Sequence, residues 1–351
     1  MKIALIGLSG SGKTTVFNAL TGASVDLHTG GRSGPNRKVI HHKDERVERL
    51  AGLASSKKLS YAAIEYVDLG DIGDGGRQMD EQFLAGVRDA DALLLTIRAF
   101  PEVIGASVPD VAIEWNSVHT DLMVADLQVI EGSLERLKKG IEKGMKELIP
   151  ERDLMVRCQE NLEAEKPIRM LECTQEEEKM LRGYAFLSGK PLLVVFNIGE
   201  IVGEFEFPLE LQRWFDQTKI TWTSFCAKLE SEILSMGEEV NFFAQEMGVE
   251  SLSRDRVISM SYDLLGLITF LTMGEAESRA WPIRKGATAL RAAGTIHSDI
   301  EHGFIRAETV SYETLIASGS WAEARKQGHM RLEGKNYIVQ DGDIIFFRFK
   351  V

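Results

Sequence analysis

The first fifteen residues place a glycine-rich loop between an apolar run and a helical pattern. The apolar run is Ile3 to Ile6, and the loop that follows reads Gly7-Leu8-Ser9-Gly10-Ser11-Gly12-Lys13-Thr14-Thr15. This matches the P-loop pattern G-x-x-x-x-G-K-[ST], in which consecutive backbone N–H groups curl around a phosphate chain. The run Val16 to Leu20 continues as a helix, so that phosphate would lie at a helix N-terminus. The alternative is a Gly-rich turn that binds nothing.

The P-loop pattern predicts a role for each of its residues. Lys13 is expected to reach the β and γ phosphates as a catalytic residue, and the Thr14 hydroxyl is expected to bind Mg²⁺. The phosphate chain itself is expected to contact the loop residues Ser9, Gly10, Ser11, Gly12, Lys13, Thr14 and Thr15. The sequence therefore predicts a Mg²⁺-dependent nucleotide-binding protein.

Bulk properties exclude several classes of protein. A length of 351 residues predicts two or three domains, and a net charge of −12 argues against DNA binding by the whole chain. The three cysteines form no C-x-x-C pair, which fits a reducing cytoplasm. The chain opens directly on an apolar strand with no leader, and no apolar run reaches ~18 residues, so we expect neither secretion nor a membrane span.

Two segments after the loop are candidate nucleotide switches. His28 to Lys43 contains several basic residues and no acid, and it is interpreted as a mobile basic loop facing phosphate or RNA, or else as a solvated surface loop. Ile64 to Asp68 alternates like a strand and ends in an acid. Asp68 is expected to face Mg²⁺, the alternative being a turn residue.

Three further apolar runs predict strands of an α/β fold with a doubly wound, mostly parallel sheet. They are Ala92 to Ile97, Leu192 to Phe196 and Thr221 to Phe225. Ligand is expected at their C-terminal ends. A helical segment from Glu230 to Met247 follows the last run.

A long helical insertion separates the first two of these runs. Its apolar stripe has helical spacing and consists of Leu127, Ile130, Leu134, Leu137, Ile141, Met145 and Leu148. Pro150 is expected to end this helix, and a charged segment returns through Leu154 and Leu162 to Pro167. Another helix is expected to begin with a capping box at Thr174 and Glu177. These features favour an arm of two antiparallel helices over a helix packed on the sheet.

The last part of the chain predicts a small β-rich domain. Short runs at Ala280 to Arg284 and Tyr337 to Val339 lead to Asp341-Gly342-Asp343, which predicts a hairpin turn before a strand from Ile344 to Phe349. We expect Phe347 and Phe349 to lie in the core.

Taken in order, these pieces resemble the YchF family of Obg-related P-loop NTPases over essentially the whole chain. The most specific segments are C-terminal: Trp281 with Arg284 to Thr288, Gly303 to Glu308, and Leu332 to Asp343. The resemblance implies a G domain in two parts (1–117 and 190–266), an inserted helical, coiled-coil-like arm (118–189) and a TGS domain of β-grasp type (267–351).

The resemblance also bears on the base. Conventional GTPases read guanine with N-K-x-D, whereas this chain has Asn197-Ile198-Gly199-Glu200. YchF-like proteins depart similarly and favour ATP, which implies ATP over GTP here. The base is then expected near Asn197 and Glu200 and near the loop Cys226-Ala227-Lys228. Alternatively, Asn197 only terminates a strand.

The chain departs from the family in its switches. Asp71 stands where the second switch usually has glycine, and Ile72 keeps the hydrophobic residue found in place of the water-orienting Gln. In the first switch Pro35 and Asn36 match, with Thr29 or Ser33 as candidate substitutes for the family threonine. The histidine that supports hydrolysis has no counterpart between Phe100 and Val108. We therefore expect slow turnover without a partner.

The resemblance implies a cytoplasmic, monomeric ATPase switch that associates with the ribosome and modulates translation or stress responses. Ribosomal RNA would be met by the arm and by basic TGS residues, namely Arg331, Lys335, Arg348 and Lys350. Two alternatives remain open: a nucleotide-sensing scaffold that hardly hydrolyses ATP, and a conventional Obg-type GTPase. Arg32 is considered as an internal arginine finger.

Overall fold

The structure is a computed structural model, and it describes residues 1–25, 35–70, 79–101, 107–200, 205–235 and 253–350. The chain forms two compact units. The first contains Met1–Lys38 and Glu65–Met260, and the second contains Val39–Ile64 and Ser261–Val351. No helix within the described ranges has the length and apolar character needed to cross a membrane.

The first sheet has six strands in the order β2-β4-β1-β5-β6-β7. Their bounds are β1 Lys2–Ile6, β2 Asn36–His42, β4 Ala62–Asp68, β5 Ala92–Ala99, β6 Leu192–Ile198 and β7 Thr221–Phe225. The pairs β1/β4, β1/β5, β5/β6 and β6/β7 are all parallel. The predicted doubly wound, mostly parallel sheet is confirmed, and the C-terminal ends of its strands lie at one edge.

One prediction for this sheet is wrong in part. The segment expected to be a mobile basic loop contains a regular strand, because Asn36–His42 forms β2. Residues 26–34, which include Arg32, Thr29 and Ser33, lie outside the described residues. The strand arises because the second half of the segment, Val39-Ile40, is apolar and β-branched, and Ile40 is buried.

The helices that accompany this sheet cover both of its faces, as the continuous apolar runs of β5 and β6 require. They are α1 Lys13–Thr21, α3 Glu81–Asp89, α7 Leu209–Thr218, α8 Ala227–Ser235 and α9 Ser253–Leu264. The first half of a longer helix, α4 Val111–Glu142, packs on the same core through Trp115, Val118 and Leu122.

The second half of α4 serves a different core. Its residues Ile130 and Leu137 pack with α5 Ile149–Glu163 through Leu154 and Met155. One-turn 3₁₀ helices at Lys146–Leu148 and Ile168–Met170 and a short helix, α6 Gln175–Arg182, complete this part. The predicted stripe therefore packs mainly on a helical partner.

The capping box of Thr174 and Glu177 is confirmed at the start of α6. The prediction that Pro150 ends the long helix is wrong, because α4 ends at Glu142 and Pro150 lies in the first turn of α5. A proline is tolerated there because the first N–H groups of a helix have no intrahelical partner. Met145, expected in the stripe, is 48% exposed in the link between the helices.

The second unit contains a mixed six-stranded sheet in the order β11-β10-β12-β8-β9-β3. Its strands are β3 Leu59–Ser60, β8 Leu267–Thr272, β9 Ser278–Arg284, β10 Phe304–Ser311, β11 Arg331–Glu333 and β12 Asp343–Phe349. Its helices are α2 Glu45–Ala54, α10 Ala289–Ile296, α11 Ser298–His302, α12 Tyr312–Ser318 and α13 Trp321–Lys326. Phe270, Ala292 and Phe347 lie in its core.

The segment between the two predicted switches is part of this second unit, which the sequence did not indicate. Strand β3 pairs in parallel with β9, and the Lys57 N–H donates to the carbonyl of Glu275 at 2.9 Å. Arg46, in α2, binds Asp341 at 2.7 Å. These contacts hold α2 and β3 to the C-terminal sheet.

The predicted C-terminal hairpin is wrong. Gly342 does adopt a left-handed turn conformation (φ 78°), but Tyr337 to Val339 is not a strand and makes a single bridge, between Ile338 and Thr288. Strand β12 pairs instead with β10 and β8. The turn is held by its own side chains, because Asp341 accepts from the Thr269 N–H at 2.8 Å.

The two phenylalanines expected in the C-terminal core differ. Phe347 is 7% exposed and belongs to the core, which confirms that prediction. Phe349 is 40% exposed, so its predicted burial is wrong. Both point to the same face by strand alternation, but Phe349 lies at the end of the strand, where less of the core covers it.

Candidate functional site

The P-loop lies between β1 and α1 and requires glycine at three positions. Gly10 and Gly12 have φ of 77° and 79°, a conformation that side chains with a Cβ rarely adopt. A Cβ on Gly7 would lie 2.6 Å from the carbonyl oxygen of Thr96, and one on Gly12 would lie 2.2 Å from Nδ2 of Asn197. The loop is therefore pressed against the ends of two neighbouring strands.

Asn197, in β6, binds the P-loop to the start of α8. Its Nδ2 donates to the carbonyl oxygen of Ser11 at 3.1 Å, and its Oδ1 accepts from the N–H of Ala227 at 3.2 Å. The side chain is 4% exposed. The end of β6, the P-loop and the start of α8 are thus joined through one amide.

The two predicted metal ligands lie together. The Thr14 hydroxyl donates to Oδ2 of Asp68 at 2.9 Å, and Asp68 is 3% exposed at the end of β4. Lys13, 3% exposed, begins α1 beside them. The structure thus brings the ammonium, the hydroxyl and the carboxylate to the N-terminus of one helix.

These donors fit Mg²⁺ bound with a nucleotide. Mg²⁺ takes oxygen ligands, is usually held by one or two carboxylates plus phosphate, and keeps several waters. In the ranges that the structure describes, no three His, Cys, Asp or Glu side chains converge to form a complete metal cage. Buried Ser11 Oγ has no hydrogen-bond partner among the described residues, which fits a loop shaped for a polar ligand.

The predicted base-binding residues meet beyond Asn197. Glu200 and Lys228 form an ion pair at 3.1 Å, and this partner raises the pKa of Lys228. Ala227 is buried at the start of α8, and burial raises the pKa of the adjacent Cys226 thiol.

A cavity of about 130 Å³ opens beside this loop, lined in part by Ile198, Cys226, Glu230 and Arg256. Glu230 accepts from the N–H groups of Ser253 and Arg254, the first residues of α9, at 2.5 and 3.1 Å. Burial raises its pKa despite these bonds. The cavity wall is therefore a fixed part of the unit.

Other predicted residues lie outside the described part of the chain. They include Asp71 and Ile72 of the second switch and residues 102–106, where the family histidine was sought.

The structure adds residues that the sequence analysis missed. Phe100 lies beside the loop, with its ring 3.7 Å from a Cβ placed on Gly12. Arg98 and Glu114 are close by, and the Arg98 N–H donates to Oε2 of Glu114 at 3.1 Å. Arg98 is the second-last residue of β5 and Phe100 follows directly after the strand, so the rule that ligands bind at strand ends was the available signal.

Comparison with known proteins agrees with this geometry. Residues 2–125 match a family described as "50S ribosome-binding GTPase". Residues 267–350 match the YchF-GTPase_C family, described as a protein of unknown function.

Full-length relatives extend the match over the whole chain. The chain is 37% identical to the "Ribosome-binding ATPase YchF" of Bacillus subtilis, with 99% of this chain and 98% of that protein covered. It is 35% identical to the protein of that name from Pasteurella multocida, with 100% and 99% covered.

A solved structure shares the fold. The Schizosaccharomyces pombe YchF GTPase superposes with a TM-score of 0.84 at 24% identity, covering 99% of this chain and 97% of that one. With the P-loop, the relatives and the C-terminal family in agreement, the chain belongs to the YchF family of P-loop NTPases.

Proposed function

We propose that this protein is a ribosome-associated ATPase switch that binds ATP with Mg²⁺ and hydrolyses it slowly. The observation that carries the proposal is the cradle at the P-loop. Gly12 leaves no room for a Cβ beside Asn197, and Thr14 and Asp68 lie in contact at the adjoining helix terminus. Relatives that share the whole length of the chain are named ribosome-binding ATPases.

The residues of the loop divide the chemistry between them. Backbone N–H groups from Ser9 to Thr15 and the Lys13 ammonium would stabilise charge on the β and γ phosphates. Thr14 and Asp68 would hold Mg²⁺ directly or through water. Ile72 would occupy the position of the water-orienting Gln, which leaves attack by water weakly assisted and turnover slow.

ATP is favoured over GTP by the residues at the base end. A guanine-specific site needs a carboxylate that accepts from two N–H donors of the base, and the chain has Glu200 at that point of the motif. The structure pairs Glu200 with Lys228 at 3.1 Å. Glu200 is one methylene longer than the aspartate of N-K-x-D, and Ile198 stands in place of its lysine, so the chain lacks both residues by which that motif reads guanine.

We further propose a cytoplasmic monomer in which the helical arm (118–189) and the C-terminal domain (267–351) meet the ribosome. Among the basic residues predicted to face RNA, Lys335 and Lys350 are exposed. Arg331 and Arg348 are bound to Asp343 and Glu308, so they would need to exchange a partner.

Calorimetric titration with ATP, ADP, GTP and GDP in the presence of Mg²⁺ tests the ligand. We expect ATP to bind at least tenfold more tightly than GTP, a difference of ~1.4 kcal/mol. Tighter binding of GTP by that margin would make the protein a conventional GTPase. Absence of binding for all four at millimolar concentration would remove the proposal.

Turnover is tested with excess ribosomes and Mg·ATP, with a Lys13→Ala variant as the control. We expect ribosomes to raise phosphate release above that of the variant. Release that stays at the level of the variant would leave a nucleotide-binding scaffold.

A further inference from the structure

Arg98 lies where the sheet meets the P-loop. It is near the C-terminal end of β5, and the register of β5 and β6 places it opposite Asn197, the residue that binds the loop carbonyl. Its guanidinium turns toward the loop, because a Cβ placed on Gly10 would lie 3.8 Å from Nη1 of Arg98. A cation therefore stands beside the middle of the glycine-rich loop.

The guanidinium of Arg98 forms no ion pair with a carboxylate of the described residues, although the side chain is half-buried. Removing part of a guanidinium from water costs free energy, which an anionic ligand would offset. An arginine offers a planar fork of donors that matches phosphate.

Glu114 holds the main chain of Arg98 in place. Its Oε2 accepts from the Arg98 N–H at 3.1 Å, while its Oε1 is buried and has no hydrogen-bond partner among the described residues. Burial raises the pKa of Glu114 to about 7, an effect that the charge of Arg98 only partly offsets. A raised pKa favours the neutral carboxyl, which does not neutralise the guanidinium.

We propose that Arg98 is a further ligand of the nucleotide polyphosphate, supplied by β5, and that Glu114 is the positioning residue that aims it. The inference rests on the proposed nucleotide binding and adds a cation that the P-loop motif does not contain. The contact is to phosphate, so it serves ATP and GTP alike. Arg98 lies in β5, whereas Arg32, the other arginine considered, lies outside the described residues.

Titration of Arg98→Ala with Mg·ATP and Mg·GTP tests the contact. Loss of a hydrogen bond to a charged group should lower the affinity for both nucleotides roughly 10- to 100-fold, or ~1.4–2.7 kcal/mol, with the ATP to GTP ratio unchanged. Arg98→Lys, which keeps the charge without the fork, should lose less. Arg213→Ala, an exposed arginine on α7, is the matched control and should bind as the wild type does.

Two results would overturn the contact. Arg98→Ala with wild-type affinity would show that the guanidinium does not touch the ligand. A loss confined to ATP would place it on the base. Absence of nucleotide binding by the wild-type protein would instead defeat the proposed function, which keeps the two failures distinct.

Glu114 is tested by rescue. Glu114→Gln retains an acceptor for the Arg98 N–H, and its ATP affinity should stay within about threefold of wild type. Glu114→Leu should lose affinity as Arg98→Ala does, and the double variant Arg98→Ala/Glu114→Leu should lose no more than either single variant. Additive losses, or equal losses in Gln and Leu variants, would refute the positioning role. Thermal unfolding of each variant confirms that it is folded.

Discussion

Two buried carboxylates of the first unit, those of Asp126 and Glu230, accept from main-chain N–H groups, whereas the buried carboxylate of Glu308 in the second unit is bound by arginines. In the first unit, Asp126 accepts from Leu187 and Ser188 at 2.7 Å each, and Glu230 accepts from the first residues of α9. In the second unit, Glu308 binds Arg325 and Arg348, at 2.5 and 2.9 Å.

The difference separates two uses of charge. Main-chain donors are fixed in place by the fold and carry no net charge, so they favour the ionised carboxylate without neutralising it. Burial opposes them and raises the pKa of both Asp126 and Glu230. An arginine neutralises its partner and is itself occupied. Arg98 of the first unit has no ion-pair partner among the residues that the structure describes, whereas Arg348 of the second unit is bound to Glu308.

The largest expected effect is at the P-loop. Gly12→Ala places a Cβ 2.2 Å from Nδ2 of Asn197 at a φ of 79°. Because the amide must move and release the carbonyl of Ser11, ATP affinity should fall roughly 100-fold or more, at least ~2.7 kcal/mol. Gly22→Ala, with a positive φ of 64° and nothing within 4 Å of the added Cβ, is the control. Calorimetry showing equal affinities for the two variants would contradict the cradle.

The next largest effect concerns the hydrogen bonds between the Asp126 carboxylate and main-chain N–H groups. Asp126→Ala removes the acceptor for two buried N–H groups, each of which costs ~1–3 kcal/mol when left unpaired. The free energy of unfolding should therefore fall by about 2–6 kcal/mol, as measured by urea denaturation. A fall below about 1 kcal/mol would show that water or a local shift replaces the carboxylate.

Glu114 and His119, two buried groups of the first unit, should change the stability of the fold in opposite directions as pH rises. The folded-state pKa of Glu114 is raised to about 7 from 4.5, so its contribution to stability is lost as pH rises from 4.5 to 7. That of His119 is lowered to about 4 from 6.5, chiefly by burial and then by the charge of Arg169, so its contribution is lost as pH falls from 6.5 to 4.

Replacing one group at a time shows how the free energy of unfolding depends on pH through the other. Shifts of this size correspond to ~3 kcal/mol each. Urea denaturation of Glu114→Gln should show stability rising from pH 4 to 6.5, and His119→Phe, which keeps the ring against Trp115 and Trp214, should show it falling from pH 4.5 to 7. Variants with the pH dependence of the wild type would show that neither group is perturbed.

The smallest effect belongs to the second unit. Glu308→Gln removes the charge between Arg325 and Arg348, whose side chains are 54% and 49% exposed and can turn to water. The cost should be about 1 kcal/mol in urea denaturation. If these arginines also contact ribosomal RNA, more of this variant than of the wild type should sediment with ribosomes. An unchanged amount would show that the two arginines have a structural role only. A loss as large as that of Asp126→Ala would erase the contrast between the units.

Much of the first unit could be predicted because its signals are local. The strands from Ile3, Ala92 and Leu192 are continuous apolar runs, and the P-loop is a contiguous motif whose glycines meet backbone requirements at their own positions. Predictions failed where neighbours in space decide. The proline at 150 starts a helix instead of ending one, and Tyr337 to Val339 finds one bridge where a hairpin was expected.

The P-loop, its helix and the family could be recognised from the residues alone, because adjacent residues encode a turn and its chemistry. The hydrogen bond between Arg98 and Glu114, 16 residues apart, and the approach of the Arg98 guanidinium to Gly10 are visible only in the folded chain. The tertiary structure alone joined Asn197 to Ser11 across 186 residues. The physical reason is that parallel strands bring distant segments to one edge, where hydrogen bonding and charge, rather than sequence proximity, select the partners.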